Sequence, residues 1–278
     1  MSESNAKQFL ALIENSEGMD KLLALMSCLR NPKGGCPWDI EQTYQSILPF
    51  TIEEVYEVAE AIEQQDYRAL KDELGDLLFQ IVFYTQLAQE EGRFDFSEVV
   101  EGVVNKLVRR HPHVFADESF TDEASLKKAW EAQKHKERQA KDENATSLLD
   151  DIPKSLPELK RAHKIQKRVA KVGFDWENIA QVWDKVFEEI DEVKEAEKLK
   201  SAESIEEEIG DLFFALVNLS RHHKIDPDIA LRKASQKFEA RFRIVEELSE
   251  NPLDSYSLED LEALWQDAKK KTSSSIED

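Results

Sequence analysis

Apolar residues recur along this chain at helical spacing, and no convincing run of alternating β-branched residues marks a strand. Residues 1 to 30 read as amphipathic helix, with Phe9, Leu10 and Ile13, then Leu22, Leu23, Leu25 and Met26, around a break near Gly18. The stretch from Asn31 to Asp39, rich in Gly and Pro, reads as a loop; it lacks the GxxxxGK[ST] pattern of a phosphate loop. Thr51 with Glu54 three residues on predicts a capping box that starts a helix to about Gln64, with Pro49 breaking any helix before it. From about Asp72 to Glu90, Leu74, Leu77, Leu78, Phe79, Ile81, Val82, Phe83 and Leu87 point in nearly every direction around the axis, which predicts a buried helix. Glu73 and Asp76 open that helix, so their carboxylates are expected at or near the core. Residues 97 to 116 predict a helix and a basic turn, Lys106 to His113, before a short helix carrying Trp130. Beyond it, helices are expected at roughly 157–171, 178–199, 203–223, 227–250 and 257–270, followed by a frayed tail.

The pattern repeats. Glu53, Glu54, Glu57, Glu73, Gly75, Asp76, Leu77 and Phe79 return as Glu188, Glu189, Glu192, Glu208, Gly210, Asp211, Leu212 and Phe214 at a constant offset of 135. Lys33, Gly35 and Trp38 return as Lys171, Gly173 and Trp176 at offset 138, and Leu126, Trp130 and Lys134 as Leu261, Trp265 and Lys269 at offset 135. A duplicated unit of about a hundred residues is domain-sized. The expected organisation is a helical extension over 1–17, a first helical domain over 18–136, a polar linker over 137–154, a second domain over 155–271 and a tail over 272–278.

The repeated acids carry the candidate chemistry. Glu189 and Glu192 lie one helical turn apart, as do Glu208 and Asp211, so two antiparallel helices can aim four carboxylates at one point. Anions that close repel unless a hard divalent cation such as Mg²⁺ takes their oxygens. Acid runs on helices are ordinarily solvated faces, but Glu189 falls inside the apolar arc of Val186, Ile190, Val193 and Ala196, Glu192 falls at its edge and Glu188 points further out. Basic residues keep company with the acids: Lys185 one turn before Glu189, Lys237 and Arg241 one turn apart, and Lys106 with Arg110 in the first copy. Trp265 reads either as a stacking surface for a base or as a core anchor. The second copy is expected to carry most of the catalysis, because the first has no basic residue at the place of Lys185 and commits Glu54 to its capping box.

Composition narrows the classes. The length of 278 residues suits two compact domains, and few Gly and Pro with 34% charged residues favour helix. A formal net charge of −21 argues against nucleic acid or an anionic membrane as a partner. Cys28 and Cys36 lack metal or redox spacing and read as reduced thiols. The first residues lack a signal-peptide pattern and no apolar run is long enough to span a bilayer, so a cytoplasmic protein is expected.

With EExxE followed by ExxD twice, and the motifs Gly-Cys-Pro-Trp-Asp and Val-Gly-Phe-Asp-Trp, the chain resembles the all-α nucleoside triphosphate pyrophosphohydrolases of the two-copy MazG type over about Gly18 to Lys271. The resemblance implies tandem all-α helical bundles, a homodimer, Mg²⁺ with Mn²⁺ as a substitute, and hydrolysis of NTPs and dNTPs to monophosphate and pyrophosphate. It assigns metal binding to Glu189, Glu192, Glu208 and Asp211, with Glu54, Glu57, Glu73 and Asp76 as first-copy equivalents. Nucleotide contacts fall on Lys185, Glu189, Glu207, Lys237, Arg241 and Trp265, and the catalytic carboxylates on Glu188, Glu189 and Glu192. Two other readings stay open: a catalytically silent helical interaction protein, and hydrolysis of guanosine tetraphosphate-type signals at the same carboxylates. A His-Asp metal site for the latter is absent, since no His-Asp dipeptide occurs.

Overall fold

The computed structural model describes residues 3–116, 147–150 and 152–274, with residues 121–123, 125, 126, 129, 130, 133 and 137. Among these the structure is helical, with no strand. Packing divides the chain into Met1–His135 and Lys136–Asp278. Most of the expected linker, and Lys134 of the repeat, lie outside the described residues.

The first unit contains α1 (Glu3–Glu14), α2 (Gly18–Leu29), α3 (Pro37–Glu41), α4 (Tyr44–Glu63), α5 (Tyr67–Glu90), α6 (Phe96–Arg110) and α7 (Pro112–Phe115). The second contains α8 (Glu158–Val169), α9 (Ile179–Leu199), α10 (Ala202–His222), α11 (Pro227–Leu248) and α12 (Leu258–Ser274), with 3₁₀ turns at Ala170–Val172 and Leu253–Ser255. In the first unit α4 packs on α5 and α2 on α5; in the second, α9 packs on α10, α8 on α10 and α11 on α12.

The turn between the paired helices sets the register of the acids. Gln65 (φ +56°) and Lys200 (φ +54°) both adopt the left-handed conformation uncommon for non-glycine residues, and they are equivalent at the repeat offset of 135. Asp66 then caps α5 by accepting from Arg68 N and Ala69 N, and Ser201 caps α10 by accepting from Ser204 N. Each copy therefore folds its ExxD helix back along its EExxE helix at the same point. In the first unit the pair closes over Met26, Ile47, Val82, Phe83 and Leu87. Phe83 is fully buried, so its truncation to Ala would cost about 3–5 kcal/mol.

Several expectations are corrected. The helix expected to start at Thr51 begins at Tyr44: Thr43 is the cap, its side chain accepting from Ser46 N while Ser46 Oγ accepts from Thr43 N. Pro49 sits inside this helix without ending it. Thr51 Oγ1 is hydrogen-bonded instead to Tyr84 Oη at 2.8 Å and donates to Ile47 O at 3.3 Å. The loop from Asn31 gives way at Pro37 to the short helix α3. Helix α5 starts at Tyr67, so Glu73 and Asp76 lie inside it, and Asp76 and Asp211 are exposed rather than in the core. The all-apolar helices are not buried all round, since Leu74 on α5 and Phe213 on α10 stay about half exposed. Each unit covers one side of its ExxD helix and leaves the other open. Finally, α12 continues through Thr272 to Ser274, because Thr272 Oγ1 donates to Ala268 O and accepts from Arg241 Nε at 3.2 Å, tying the last turn to α11.

Candidate metal and nucleotide site

In the second unit the phase of α9 is fixed at its start, where Asn178 Oδ1 accepts from Ala180 N at 3.0 Å and Gln181 N at 3.2 Å. From that start Val182, Val186 and Ala196 turn inward with Glu189, which is 4% exposed, while Glu188 and Glu192 are exposed. The helical-wheel expectation for these acids is met. Glu208 approaches from α10, and one oxygen from each of Glu189, Glu192 and Glu208 lies within 4.8 Å of the others. Asp211, the fourth expected ligand, is not in this group; it is exposed and lines the adjoining cavity.

Lys185 Nζ contacts Glu188 Oε1 at 2.8 Å and Glu189 Oε1 at 2.7 Å, and these bonds hold its ammonium well above the usual lysine range. Glu189 Oε2 is buried with no hydrogen-bond partner. Partial dehydration, then the neighbouring Glu189 carboxylate, push the Glu192 carboxyl up. An all-oxygen donor set with a buried lone oxygen and residual repulsion is what a hard divalent ion satisfies, so these residues fit Mg²⁺ or Mn²⁺.

The first unit repeats the acids but not their surroundings. Glu54, Glu57 and Glu73 also bring oxygens within 4.8 Å of one another, with Asp76 outside the group. Burial, then the charges of Asp76 and Glu57, raise Glu54; burial, then Glu57 and Asp76, raise Glu73. Glu54 Oε2 is buried without a partner. At the place of Lys185 stands Phe50, edge-on to Trp38 with ring centroids 6.0 Å apart. The capping box expected to claim Glu54 is absent, so that carboxylate is as available as Glu189.

Beside the second cluster a cavity of about 620 Å³ opens between α8, α9, α10 and the loop after Gly173, with Lys185, Glu189 and Asp211 at one end. Gly173 turns the chain through φ +86° into that loop. Among the polar cavity residues, Gln166, Asn218 and Arg221 were not singled out in sequence, and Asp175 entered only as part of the Val-Gly-Phe-Asp-Trp motif. Arg221 holds Asp175 through both carboxylate oxygens (Nη1 to Oδ2 2.9 Å, and Nη2 to Oδ1), and this keeps Asp175 below the usual carboxylate range. The pairing spans 46 residues, so no local spacing announces it. Of the expected nucleotide contacts, only Lys185 and Glu189 line this cavity. Lys237 and Glu207 are exposed, Arg241 bonds Thr272, and Trp265 packs on Phe238 with centroids 5.0 Å apart. In the turn after α6, His111 Nδ1 is bonded to Leu107 O at 2.7 Å and its ring packs near those of His113 and Trp130.

Fold and site define an all-α protein with two carboxylate clusters, each made by an EExxE helix against an ExxD helix. A model described as the MazG nucleotide pyrophosphohydrolase domain matches residues 42–115 and 178–245, and the chain belongs to the MazG family. It is 51% identical over 258 residues to the nucleoside triphosphate pyrophosphohydrolase of Escherichia coli (strain K12), covering 91% of this chain and 97% of that one. It is 42% identical over 253 residues to the nucleoside triphosphate pyrophosphohydrolase/pyrophosphatase MazG of Thermotoga maritima, covering 90% and 95%. The uncharacterized protein YabN of Bacillus subtilis is 44% identical over 246 residues, which span half of its length. Among the described residues no helix is long and apolar enough to cross a membrane.

Proposed function

We propose that the chain hydrolyses nucleoside triphosphates and their deoxy forms to monophosphate and pyrophosphate, with Mg²⁺ or Mn²⁺, chiefly at the second cluster. The observation that carries this reading is the convergence of Glu189, Glu192 and Glu208 oxygens within 4.8 Å, with one buried oxygen unpartnered, at the end of a cavity. Names of relatives aligned over nearly their whole length support it.

Glu189, Glu192 and Glu208 would hold the ion, with Asp211 at the cavity edge as the fourth acid. A bound divalent ion supplies charge neutralisation and acidifies water. The protein's part is orientation and proton handling. Glu188, solvent-facing and one residue from Glu189, can accept a proton from an attacking water. Lys185 is positioned to exchange its carboxylate partners for a phosphate oxygen and stabilise charge on the departing pyrophosphate. Lys237 and Arg241, on α11, are assigned to more distant phosphates, and Trp265 and Glu207 to the outer nucleotide. The open apolar sides of α5 and α10 fit a homodimer in which a second copy covers them.

The test is a product assay across the eight common NTPs and dNTPs with Mg²⁺, Mn²⁺ or excess chelator. Pyrophosphate and monophosphate in equal amounts, lost on chelation, are expected. Orthophosphate as first product, or full turnover in chelator, would overturn the proposal; no turnover of any triphosphate would favour an interaction protein.

A further inference from the structure

Lys185, Glu188 and Glu189 stand at i, i+3 and i+4 on α9, so their side chains share one face. Glu189 is one of the three acids whose oxygens converge, and it is 4% exposed. The Lys185 ammonium lies 2.7 Å from Glu189 Oε1 and 2.8 Å from Glu188 Oε1. It therefore takes one oxygen of a metal-type carboxylate and leaves the other, Oε2, buried without a partner. An ion that used both oxygens of Glu189 would have to displace the ammonium. An ion that used Oε2 alone would meet the ammonium's charge across a single carboxylate, where repulsion is strong even with partial screening by water. Lys185 thus works against the ion at the same residue that would bind it.

The contact can be released. The Lys185 side chain is 36% exposed and lines the cavity with Asp211. Its flexible four-carbon stem lets the ammonium exchange one anion for another while buried Val182 and Val186 keep α9 in place. The first cluster has no ammonium at the equivalent position, where Phe50 stands.

We infer that Lys185 is an anion-operated lock on the second metal site: its ammonium competes with a divalent ion for Glu189 until a phosphate draws it away. Ion binding is thereby coupled to phosphate binding, and by linkage each raises the affinity for the other. A bare ion is held weakly, and a polyphosphate completes the site. The inference rests on the proposed metal site and adds to the part of Lys185 in pyrophosphate departure a second one, as a positioning residue that controls access to Glu189.

The test reads Mn²⁺ binding to the full chain by electron paramagnetic resonance, with Glu57→Ala as background to remove a ligand from the first cluster. In that background Lys185→Met should tighten Mn²⁺ about tenfold without nucleotide, the effect of removing one partly screened charge. Lys185→Arg, which keeps the charge, should stay within about twofold of lysine. AMP, a weak chelator that offers one phosphate, should improve Mn²⁺ affinity about fivefold more with Lys185 than with Lys185→Met. General damage to the site would weaken Mn²⁺ binding and turnover together, whereas the lock predicts that Lys185→Met binds Mn²⁺ more tightly while losing turnover; thermal melting checks folding. Unchanged or weaker Mn²⁺ binding in Lys185→Met, or an equal gain from AMP in both chains, would overturn the inference even if pyrophosphate were released. Absence of Mn²⁺ binding in both chains would overturn it together with the proposed metal site. If no triphosphate released pyrophosphate yet Lys185→Met tightened Mn²⁺, the proposed activity would fail and the lock would stand.

Discussion

The two carboxylate clusters are made by the same helices, turned at the same residue and carrying the same acids, yet their surroundings differ in charge. In the second, Lys185 satisfies Glu188 and Glu189 and borders a cavity; in the first, Phe50 stands at its place against Trp38. Trp38 and Phe50 are also three residues further apart than Trp176 and Lys185, because the first copy inserts α3 ahead of its capping box. Duplication kept the acids of the cluster and changed the residue beside them. Acid spacing alone therefore does not say which copy turns over a nucleotide; on the proposed reading the neighbouring cation would.

The sharpest perturbation of that contrast is Lys185→Met. Removing one charge-stabilising donor should cut kcat about a hundredfold, while Phe50→Met, its counterpart, should leave kcat within about twofold. Steady-state kinetics on a single NTP measures both, and a comparable loss from both variants would contradict the contrast.

A smaller effect concerns stability without metal. Glu54 is raised in the folded state, so that state holds its proton more tightly than the unfolded chain does. As pH rises above the unfolded carboxyl value and through the raised folded one, the first unit loses the stability that the held proton contributes. Glu54→Gln should therefore raise the melting temperature in chelator by roughly 2 °C at pH 7.5, solvent screening keeping the gain small, with little change at pH 4. Glu189→Gln removes a partner from Lys185 and should lower it. Calorimetry in chelator checks the two signs; a fall with Glu54→Gln would mean that Glu54 has a cation partner.

Much of this was legible in sequence. The second-unit helices fall within a few residues of their expected limits because Asn178, Ser201 and Asp226 stand as caps directly before apolar periods. The inward turn of Glu189 followed from the same period. The first EExxE helix was misread at its start because Thr51 and Glu54 imitate a capping box, while the real one pairs Thr43 with Ser46. Pro49 looked like a break, but the preceding turn was already secured by that cap. The pairing of Asp175 with Arg221 was not read because it joins a loop to a helix 46 residues further along the chain. The all-apolar pattern of α5 and α10 did point to a need for extra cover, but not to which face stays open, since such a helix has no distinct apolar side in sequence.

The central claim is that the second cluster carries turnover, and paired single substitutions at equivalent acids test it most directly. Glu192→Ala and Glu57→Ala remove the same ligand from the two clusters without touching Lys185 or the cavity lining. Pyrophosphate release under saturating NTP and Mg²⁺ is predicted to fall by at least about a hundredfold in Glu192→Ala and to keep most of its rate in Glu57→Ala. The reverse ranking, or equal loss from both, would show that the first cluster is a working site and that Lys185 does not decide between them.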